Sequence, residues 1–264
     1  MAAQPYIFRS VFISDLHLGS VGCKCERIID FLGSFQCENL YLVGDIVDLW
    51  VALKKGKWTK QHTSIVRLLL DKSKNNCTIF LTPGNHDAFL RKAIGIDLGN
   101  IFLDDHFCHE TADGQRLLVI HGDQFDKTVK FLPLAMLGTW MFEWVSVFNA
   151  KRSKLKGPGT KVGTIKKKFK KMISSLTSFE DKLAWQASLS GFDGVVCGHI
   201  HRPEIREIDE IKYCNTGDWV ENCTAIVEHE DGRLELLNWD QISKMIQDVH
   251  NSTENMAVIP SEVP

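Results

Sequence analysis

The stretch that decides the fold is Leu81-Thr82-Pro83-Gly84-Asn85-His86-Asp87. It begins at the end of an apolar, β-branched run, Thr78–Leu81, and the Pro-Gly pair predicts a sharp turn directly after that run. A strand, a turn and then polar side chains is the order in which an α/β sheet presents polar groups at the carboxyl ends of its strands. A turn of this kind is common, so its meaning depends on how the other strands end.

Four further strand-like runs end in residues of the same chemistry. They are Ile7–Ser14 before Asp15-Leu16-His17, Leu40–Val43 before Gly44-Asp45, Arg116–Ile120 before His121-Gly122-Asp123, and Gly194–Cys197 before Gly198-His199-Ile200-His201. Between the first three strands, apolar residues at helical spacing predict helices over Cys25–Phe35 and Trp58–Lys72. This alternation favours an α/β domain with right-handed crossovers.

Antiparallel hairpins are predicted beside these parallel units. Turn residues such as Asp113-Gly114 and Asp231-Gly232 separate pairs of strand-like runs. The pairs are Phe107–Thr111 with Arg116–Ile120, Glu204–Ile208 with Ile211–Asn215, and Thr224–His229 with Leu234–Trp239.

The composition is that of a globular chain with a substantial core, at 264 residues, 44% hydrophobic and 24% charged. The formal net charge of −2 gives no overall reason to expect nucleic-acid binding. The eight cysteines lack metal-finger spacing, and Met1–Pro5 carries no charged-then-apolar signal. We therefore expect reduced thiols in a cytoplasmic protein, with disulfides as the alternative.

Seven residues at the five strand ends can bind metal ions, and they are Asp15, His17, Asp45, Asn85, His121, His199 and His201. Carboxylate, amide and imidazole ligands without a thiolate suit Mn²⁺, Fe or Zn²⁺ better than Ca²⁺. Seven ligands are too many for one tetrahedral ion, but they fit two ions that share a carboxylate. We expect two divalent ions, most plausibly manganese, with iron or zinc as alternatives.

The motif series D-x-H, G-D-x-x-D, G-N-H-D, H and G-H-x-H is present in order, and from Phe12 to about Arg202 the chain resembles the calcineurin-like metallophosphoesterase family. The resemblance implies a four-layer α/β/β/α sandwich with two metals at one edge. It also implies that Asp45 bridges the two ions. The ligands so implied are Asp15, His17 and His201 for the first ion, and Asn85, His121 and His199 for the second.

Four further residues lie close in sequence to the predicted ligands and are assigned roles in orienting ligands or in proton transfer. Asp48 and Asp123 are expected to orient ligands, although helix capping is an equal alternative for Asp48. His86 follows the predicted ligand Asn85, so it can reach over the site and donate a proton to the leaving oxygen, with Asp87 as its orienting partner. The alternative is a purely structural His86.

The interval between His121 and His199 is 78 positions long and predicts a helical lid over residues 127–177. The remaining boundaries are a core of residues 1–126 and 178–250 and a flexible tail over 251–264. Phe131–Phe148 is largely apolar, with Glu143 as its single charge, and Lys151–Lys171 has ten basic residues and no acidic ones. A lid that binds an apolar substrate or a membrane surface is favoured over core packing or a dimer face, and over a transmembrane helix.

Within the wider family, the chain is similar to the UDP-2,3-diacylglucosamine pyrophosphatases of lipid A synthesis. The segments that carry this similarity are Ser14–Leu18, Val43–Trp50, His121–Asp123 and Gly198–Pro203. The similarity implies cleavage of a lipid-linked nucleotide-sugar diphosphate to UMP and an acylated sugar 1-phosphate. Many of those proteins have Arg where this chain has His86.

The basic run suggests contact with anionic lipid headgroups and a peripheral position on the inner membrane, with nucleic acid as the less favoured partner. Arg91, Lys92, Lys166 and Arg202 are candidate phosphate contacts, with plain surface charge as an equal alternative. Two other functions stay open: a phosphodiesterase or phosphatase for a soluble nucleotide or phosphoprotein, and a non-catalytic scaffold. The sequence predicts no oligomeric state.

Overall fold

The computed structural model of the protein describes residues 5–48, 54, 58–125 and 178–246. The predicted lid with Lys166, its apolar and basic segments, and the predicted tail lie outside the described residues. In the described part of the chain, none of the helices has the length and apolar character needed to cross a bilayer.

The described residues contain eleven strands, three complete α-helices and a 3₁₀ helix at Ala88–Ala93, with further helical residues at 123–125 and 239–246. The strands are β1 (Tyr6–Ile13), β2 (Phe35–Val43), β3 (Thr78–Thr82), β4 (Ile101–Leu103), β5 (Phe107–Glu110), β6 (Arg116–Val119), β7 (Gly194–Cys197), β8 (Glu204–Ile208), β9 (Ile211–Asn215), β10 (Thr224–Glu228) and β11 (Leu234–Asn238). The helices are α1 (Cys25–Ser34), α2 (Lys60–Lys74) and α3 (Phe179–Leu189).

The strands form two sheets with parallel centres. The first has the order β11-β10-β1-β2-β3-β4, with β1 to β4 parallel and β10 and β11 antiparallel. The second has the order β5-β6-β7-β9-β8, in which β6, β7 and β9 are parallel. Parallel neighbours bring their carboxyl ends to one edge, so each sheet collects the polar turns that follow its strands.

Three apolar clusters separate four layers, which agrees with the expected α/β/β/α order. In one outer cluster, Ile28 of α1 and Ile65 of α2 pack against the first sheet. In the other, Leu183 of α3 packs against the second sheet. The central cluster joins the two sheets through side chains such as Phe12 and Val119. Every layer therefore buries apolar surface on a neighbour.

Helix α2 shows how local sequence positions an element. The Thr59 hydroxyl accepts a hydrogen bond from the backbone N–H of His62, and the His62 ring accepts one from the backbone N–H of Thr59. This reciprocal cap satisfies two amide groups at the start of the helix. The predicted helix began at Trp58, whereas the cap places its first residue at Lys60.

The structure also differs from the prediction in strand length and element number. Strand β2 begins at Phe35 rather than Leu40, because its polar first half pairs in register with β1 from Tyr6↔Phe35 onward. Strand β4, helix α3 and the 3₁₀ helix were not predicted. Helix α3 has a Ser178 cap that accepts from the N–H of Asp181.

A buried polar network crosses the space between the two sheets. The Glu228 carboxylate, fully buried on β10, contacts His109 at 2.8 Å and Arg9 at 2.6 Å, and it accepts a hydrogen bond from the N–H of Ala112 at 2.8 Å. The other ring nitrogen of His109 lies 3.0 Å from the Tyr41 hydroxyl. Burial raises the pKa of Glu228, but these hydrogen bonds outweigh burial and lower it to about 2.

We expect Glu228→Gln to destabilise the fold by about 2 kcal/mol, because it weakens hydrogen bonds to a buried charge. The control is Glu204→Gln, whose surface pair with Arg206 should contribute less than about 1 kcal/mol. Denaturant unfolding measures both variants. Since the folded pKa is lowered, the contribution of Glu228 is complete above pH 4.5 and is lost as the pH falls toward 2. Equal stability of the two variants at pH 7 would contradict this role.

Candidate metal centre

The polar turns after β1, β2, β3, β6 and β7 meet at one edge of the two sheets. Three groups of ligand atoms form there, and within each group the atoms lie within 4.8 Å of one another. The groups are Asp15 with His17 and His201, His17 with Asp45 and His86, and Asp45 with His121 and His199. The structure thus brings together six of the seven predicted ligands, and Asn85 lies beside them between Gly84 and His86.

Five of the predicted ligands have backbones in the left-handed region. The φ angles are 53° for Asp15, 49° for His17, 52° for Asp45, 72° for His199 and 54° for His201. Non-glycine residues rarely adopt this conformation, which costs on the order of 1 kcal/mol per residue and concentrates at functional sites. Inter-strand hydrogen bonds stabilise it here, from Asp15 N–H to the Gly44 carbonyl and from His17 N–H to the Asp45 carbonyl, both at 3.0 Å.

Two glycines allow the ligands to approach each other. A Cβ atom on Gly84 would lie 2.2 Å from Oδ1 of Asp45, and one on Gly44 would lie 2.3 Å from the His121 ring. A side chain at either position would therefore displace a predicted ligand. The Pro-Gly turn of the opening stretch is needed for this close approach as well as for the change of direction.

Asp45 lies at the centre of the cluster. Its Oδ1 accepts a hydrogen bond from the N–H of His86 at 2.7 Å, and its Oδ2 lies 3.3 Å from Nε2 of His121. Burial raises the pKa of Asp45, but the hydrogen bond and charge of His121 outweigh burial and lower it to about 2. The carboxylate is therefore an anion at neutral pH, as a shared metal ligand has to be.

Asp15 organises the other half of the cluster. Its Oδ1 lies 3.1 Å from Nε2 of His201 and 3.8 Å from Nε2 of His17. Its Oδ2 accepts hydrogen bonds from the N–H of His199 at 3.0 Å and from the Ser14 hydroxyl. The hydrogen bond to Asp15 raises the pKa of His201, so this part of the site also favours positive charge.

The donor set fits divalent metal ions. Among the described residues, Oδ1 of Asn85 is buried without a hydrogen-bond partner, which is rare for an atom with no ligand, and Nε2 of His121 is buried with the Asp45 carboxylate at 3.3 Å. The other ring nitrogen of His121 lies 2.8 Å from the Val43 carbonyl and donates to it, which fixes the ring. Burial lowers the pKa of His121, but Asp45 and Asp15 raise it to about 9, so the site favours a cation at this nitrogen. A metal ion can take the place of that proton.

Asp87 does not have the expected position beside the His86 ring. Its buried carboxylate accepts hydrogen bonds from the N–H groups of Gly84 at 2.6 Å and Ile46 at 2.7 Å. Because the chain turns into a 3₁₀ helix at Ala88, the Asp87 side chain points toward the backbone and ties the turn after β3 to the turn after β2. The assignment of Asp87 as the orienting partner is therefore wrong.

Asp48 occupies the position expected for Asp87. Its Oδ1 lies 2.5 Å from Nδ1 of His86 and 3.3 Å from Nδ1 of His17. Burial raises the pKa of Asp48, but its hydrogen bond and ion pair with His17 lower it by more, so the carboxylate is ionised. These contacts favour the orienting role over helix capping. Sequence spacing could not predict them, because Asp48 and His86 belong to different turns.

Arg91 also differs from the prediction, because its guanidinium binds the protein rather than pointing to a substrate. Nη1 donates to the Gly84 carbonyl at 3.1 Å, Nη2 donates to the Pro83 carbonyl at 3.0 Å, and Nε donates to Asp105 at 2.9 Å. Asp123, predicted to orient a metal ligand, contacts Nη2 of Arg91 at 3.2 Å. Arg91 and Asp123 thus hold the turn that carries Asn85.

The other predicted phosphate contacts stay predictions. Lys92 is exposed, and Arg202 is exposed with a 3.4 Å contact to Glu180.

One supporting turn was missed by the sequence analysis. Strand β9 ends in Asn215-Thr216-Gly217-Asp218, which is the same strand-then-polar-turn signal. The Thr216 hydroxyl lies 2.6 Å from the Ser14 hydroxyl that contacts Asp15, and the Asn215 amide donates to the Gly198 carbonyl at 2.9 Å. These residues hold the turns that carry Asp15 and His199.

Residues 8–203 match the sequence profile of the calcineurin-like phosphoesterases, and the chain belongs to this family. The protein is accordingly a metal-dependent hydrolase with divalent metal ligands at this edge of the sheets.

Similar proteins include two that are named UDP-2,3-diacylglucosamine hydrolase. The one from Aliivibrio fischeri is 26% identical over 239 residues, covering 84% of this chain and 94% of the relative. The one from Haemophilus influenzae is 24% identical over 236 residues, covering 84% and 95%. Among solved structures, an archaeal phosphodiesterase aligns at 15% identity and a TM-score of 0.40, covering 87% of this chain and 98% of that one.

The contacts of Arg91 lead to a testable prediction. We expect Arg91→Met to lower metal content and hydrolysis together, since the turn carrying Asn85 loses its anchors at Pro83 and Gly84. Lys92→Met is the matched control, because it removes an exposed charge from the next position. Elemental analysis and activity with added Mn²⁺ measure the effect. An Arg91 variant that keeps all its metal but binds substrate poorly would restore the substrate-contact assignment.

Proposed function

We propose that the protein hydrolyses the phosphoanhydride of a UDP-linked diacylglucosamine, giving UMP and the diacylglucosamine 1-phosphate. The proposed reaction type, metal-dependent hydrolysis of a phosphoanhydride, is supported by the ligand atoms on both sides of Asp45 and by the His86–Asp48 pair beside them. The substrate rests on the names of the relatives, which span most of this chain. The basic run Lys151–Lys171 supports an anionic lipid surface as the place of encounter.

The residues divide into two sets of ligands in this proposal. Asp15, His17 and His201 hold one divalent ion, Asn85, His121 and His199 hold the other, and Asp45 is shared. Manganese is the proposed metal, and iron and zinc accept the same ligands. When bound, two such ions lower the pKa of the attacking water and neutralise negative charge on the phosphate.

His86 is the proposed proton donor to the leaving oxygen. Its side chain is 45% exposed and lies at the mouth of the cluster, where Nε2 is 4.0 Å from Oδ2 of Asp45. Nδ1 is engaged by Asp48, which fixes the ring and leaves Nε2 to face the substrate. A ring held in this way presents Nε2 in one orientation, as a proton donor to the leaving oxygen requires.

The second candidate is a phosphodiesterase for a soluble nucleotide. It is favoured by His86 itself, since the resemblance to the pyrophosphatases implies Arg there in many members. Both candidates use the same site and differ in the substrate that it accepts.

We expect His86→Ala to retain its metals and to lower kcat by roughly 10²–10⁴-fold, the usual scale for general acid–base catalysis. Asp48→Asn should slow turnover less, because the His86 ring keeps a hydrogen-bond partner at Nδ1 but loses the charged one that fixes its orientation. Elemental analysis before each assay separates chemistry from metal loss. Loss of metal in the His86 variant would make this residue structural.

The substrate assignment is tested by comparing kcat/KM for detergent-dispersed UDP-2,3-diacylglucosamine with that for an aryl phosphodiester under the same metal conditions. The proposal expects a strong preference for the lipid-linked diphosphate and release of UMP. A preference for the soluble ester would support the second candidate. An Asp45→Ala control must be inactive on both compounds.

A further inference from the structure

Cys37 and Cys77 form a thiol pair at the end of the molecule opposite the metal centre. Cys37 lies near the start of β2, Cys77 lies directly before β3, and their Sγ atoms are 3.6 Å apart. The two strands are parallel neighbours, with Asn39 paired to Thr78. Their carboxyl ends lead to Asp45 and to Asn85, so the pair sits at the base of the two strands that carry these ligands.

The pair is open to small reactants. A groove of about 820 Å³ lies over the amino ends of these strands, and its lining includes Phe8, Phe35, Cys37, Lys72, Asn75 and Cys77. Cys37 is partly buried and Cys77 is buried, but both form part of the groove wall. The groove therefore brings a hydroperoxide or a small disulfide to the wall that the two cysteines help to form.

The surroundings give the two thiols different roles. The Lys72 ammonium is held in place, since it donates to the Phe35 carbonyl at 2.7 Å and lies 3.8 Å from the centre of the Phe35 ring. The hydrogen bond from Cys37 lowers the pKa of Cys77, and the charge of Lys72 adds to this despite burial. The same hydrogen bond and burial raise the pKa of Cys37, although Lys72 acts against this. These directions favour Cys77 as the attacking thiol and Cys37 as the thiol that keeps its proton.

We propose that Cys37 and Cys77 are a reversible oxidation site, at which a hydroperoxide converts the thiol pair to a disulfide through attack by Cys77. The Cys77 thiolate attacks one peroxide oxygen, so an S–O bond forms, the O–O bond breaks, and the other oxygen takes up a proton and leaves as water or an alcohol. The sulfur is oxidised to a sulfenic acid while the peroxide is reduced. The Cys37 sulfur then attacks the Cys77 sulfur. An S–S bond forms, the S–O bond breaks, and the Cys37 proton leaves with the hydroxyl group as water.

The disulfide would join β2 to β3 at their amino ends. It closes a loop in which 39 residues, including all of α2, lie between the two cysteines. Closing a loop of this length reduces the freedom of the unfolded chain and stabilises the folded one. The two strands that carry Asp45 and Asn85 would then resist separation under oxidising conditions, and a dithiol reductant would reverse the effect.

A second pair in the same protein serves as an internal control. Cys23 and Cys25 have their Sγ atoms 3.5 Å apart, so proximity alone does not distinguish the two pairs. Burial raises the pKa of both thiols, and for Cys23 the nearby Asp48 carboxylate adds to the effect. The Cys37–Cys77 pair differs in that Lys72 acts to lower the pKa of both of its thiols, and we expect the Cys23–Cys25 pair to stay reduced under mild oxidation.

The test uses the reduced, metal-loaded protein treated with one equivalent of hydrogen peroxide and then blocked with an alkylating reagent. Tryptic cleavage places Cys37 in residues 28–54, Cys77 in 75–91, Cys23 in 10–24 and Cys25 in 25–27, so each disulfide has its own mass. We expect the 28–54 and 75–91 peptides to be cross-linked, two thiols to be lost, and dithiothreitol to restore both. Cross-linking of 10–24 to 25–27 instead, or an unchanged thiol count, would overturn the proposal.

Three variants check the assigned roles. Cys37→Ser should stop at a Cys77 sulfenic acid that dimedone traps, whereas Cys77→Ser should leave Cys37 reduced. Lys72→Gln should slow oxidation severalfold, since an opposite charge nearby shifts a pKa by one unit or more. Oxidation should raise the Tm of the unsubstituted protein by several degrees and leave that of Cys37→Ser unchanged. A sulfenic acid on Cys37 in Cys77→Ser, or a Tm rise in Cys37→Ser, would contradict the mechanism.

Discussion

The buried carboxylate of Asp45 is the group on which the arrangement of the site depends. An ionised carboxylate that is 2% exposed requires cationic or hydrogen-bonding partners, because burial alone disfavours its charge. The N–H of His86 and the ring of His121 supply part of this, and they come from turns after different strands. Divalent ions would supply the rest, which explains why anionic and imidazole side chains converge on one point.

The two-sheet fold provides the convergence. Asp15, Asp45 and Asn85 follow strands of the first sheet, whereas His121 and His199 follow strands of the second. The side chains of the central apolar cluster pack the two sheets face to face, so the two sets of turns meet at a common edge. The left-handed backbone at five ligands is a local conformational cost that the packed sheets and the inter-strand hydrogen bonds offset.

The sequence predicted the parallel units and the candidate ligand residues that meet at one edge, because each of these residues follows an apolar strand and both signals are local. It did not predict the contacts among the turns. Asp87 is adjacent to His86 in sequence, yet its carboxylate binds backbone N–H groups, and Asp48 from another turn binds the ring instead. Arg91 is a related case, since a basic residue that contacts a phosphate and one that holds a turn have the same sequence pattern.

The two thiol pairs illustrate the same limit. Cys23-Lys24-Cys25 is visible as a pair in the sequence, whereas Cys37 and Cys77 become neighbours because β2 pairs with β3. The position of Lys72 beside Cys37 and Cys77 likewise depends on tertiary structure.

The sharing of Asp45 is tested most directly by anomalous X-ray diffraction from crystals of the manganese-loaded protein. The account predicts two anomalous peaks roughly 3.5–4 Å apart. One peak should lie beside Asp15, His17 and His201, and the other beside Asn85, His121 and His199. The Asp45 carboxylate should contact both. A single peak, or two peaks of which only one contacts Asp45, would contradict the account.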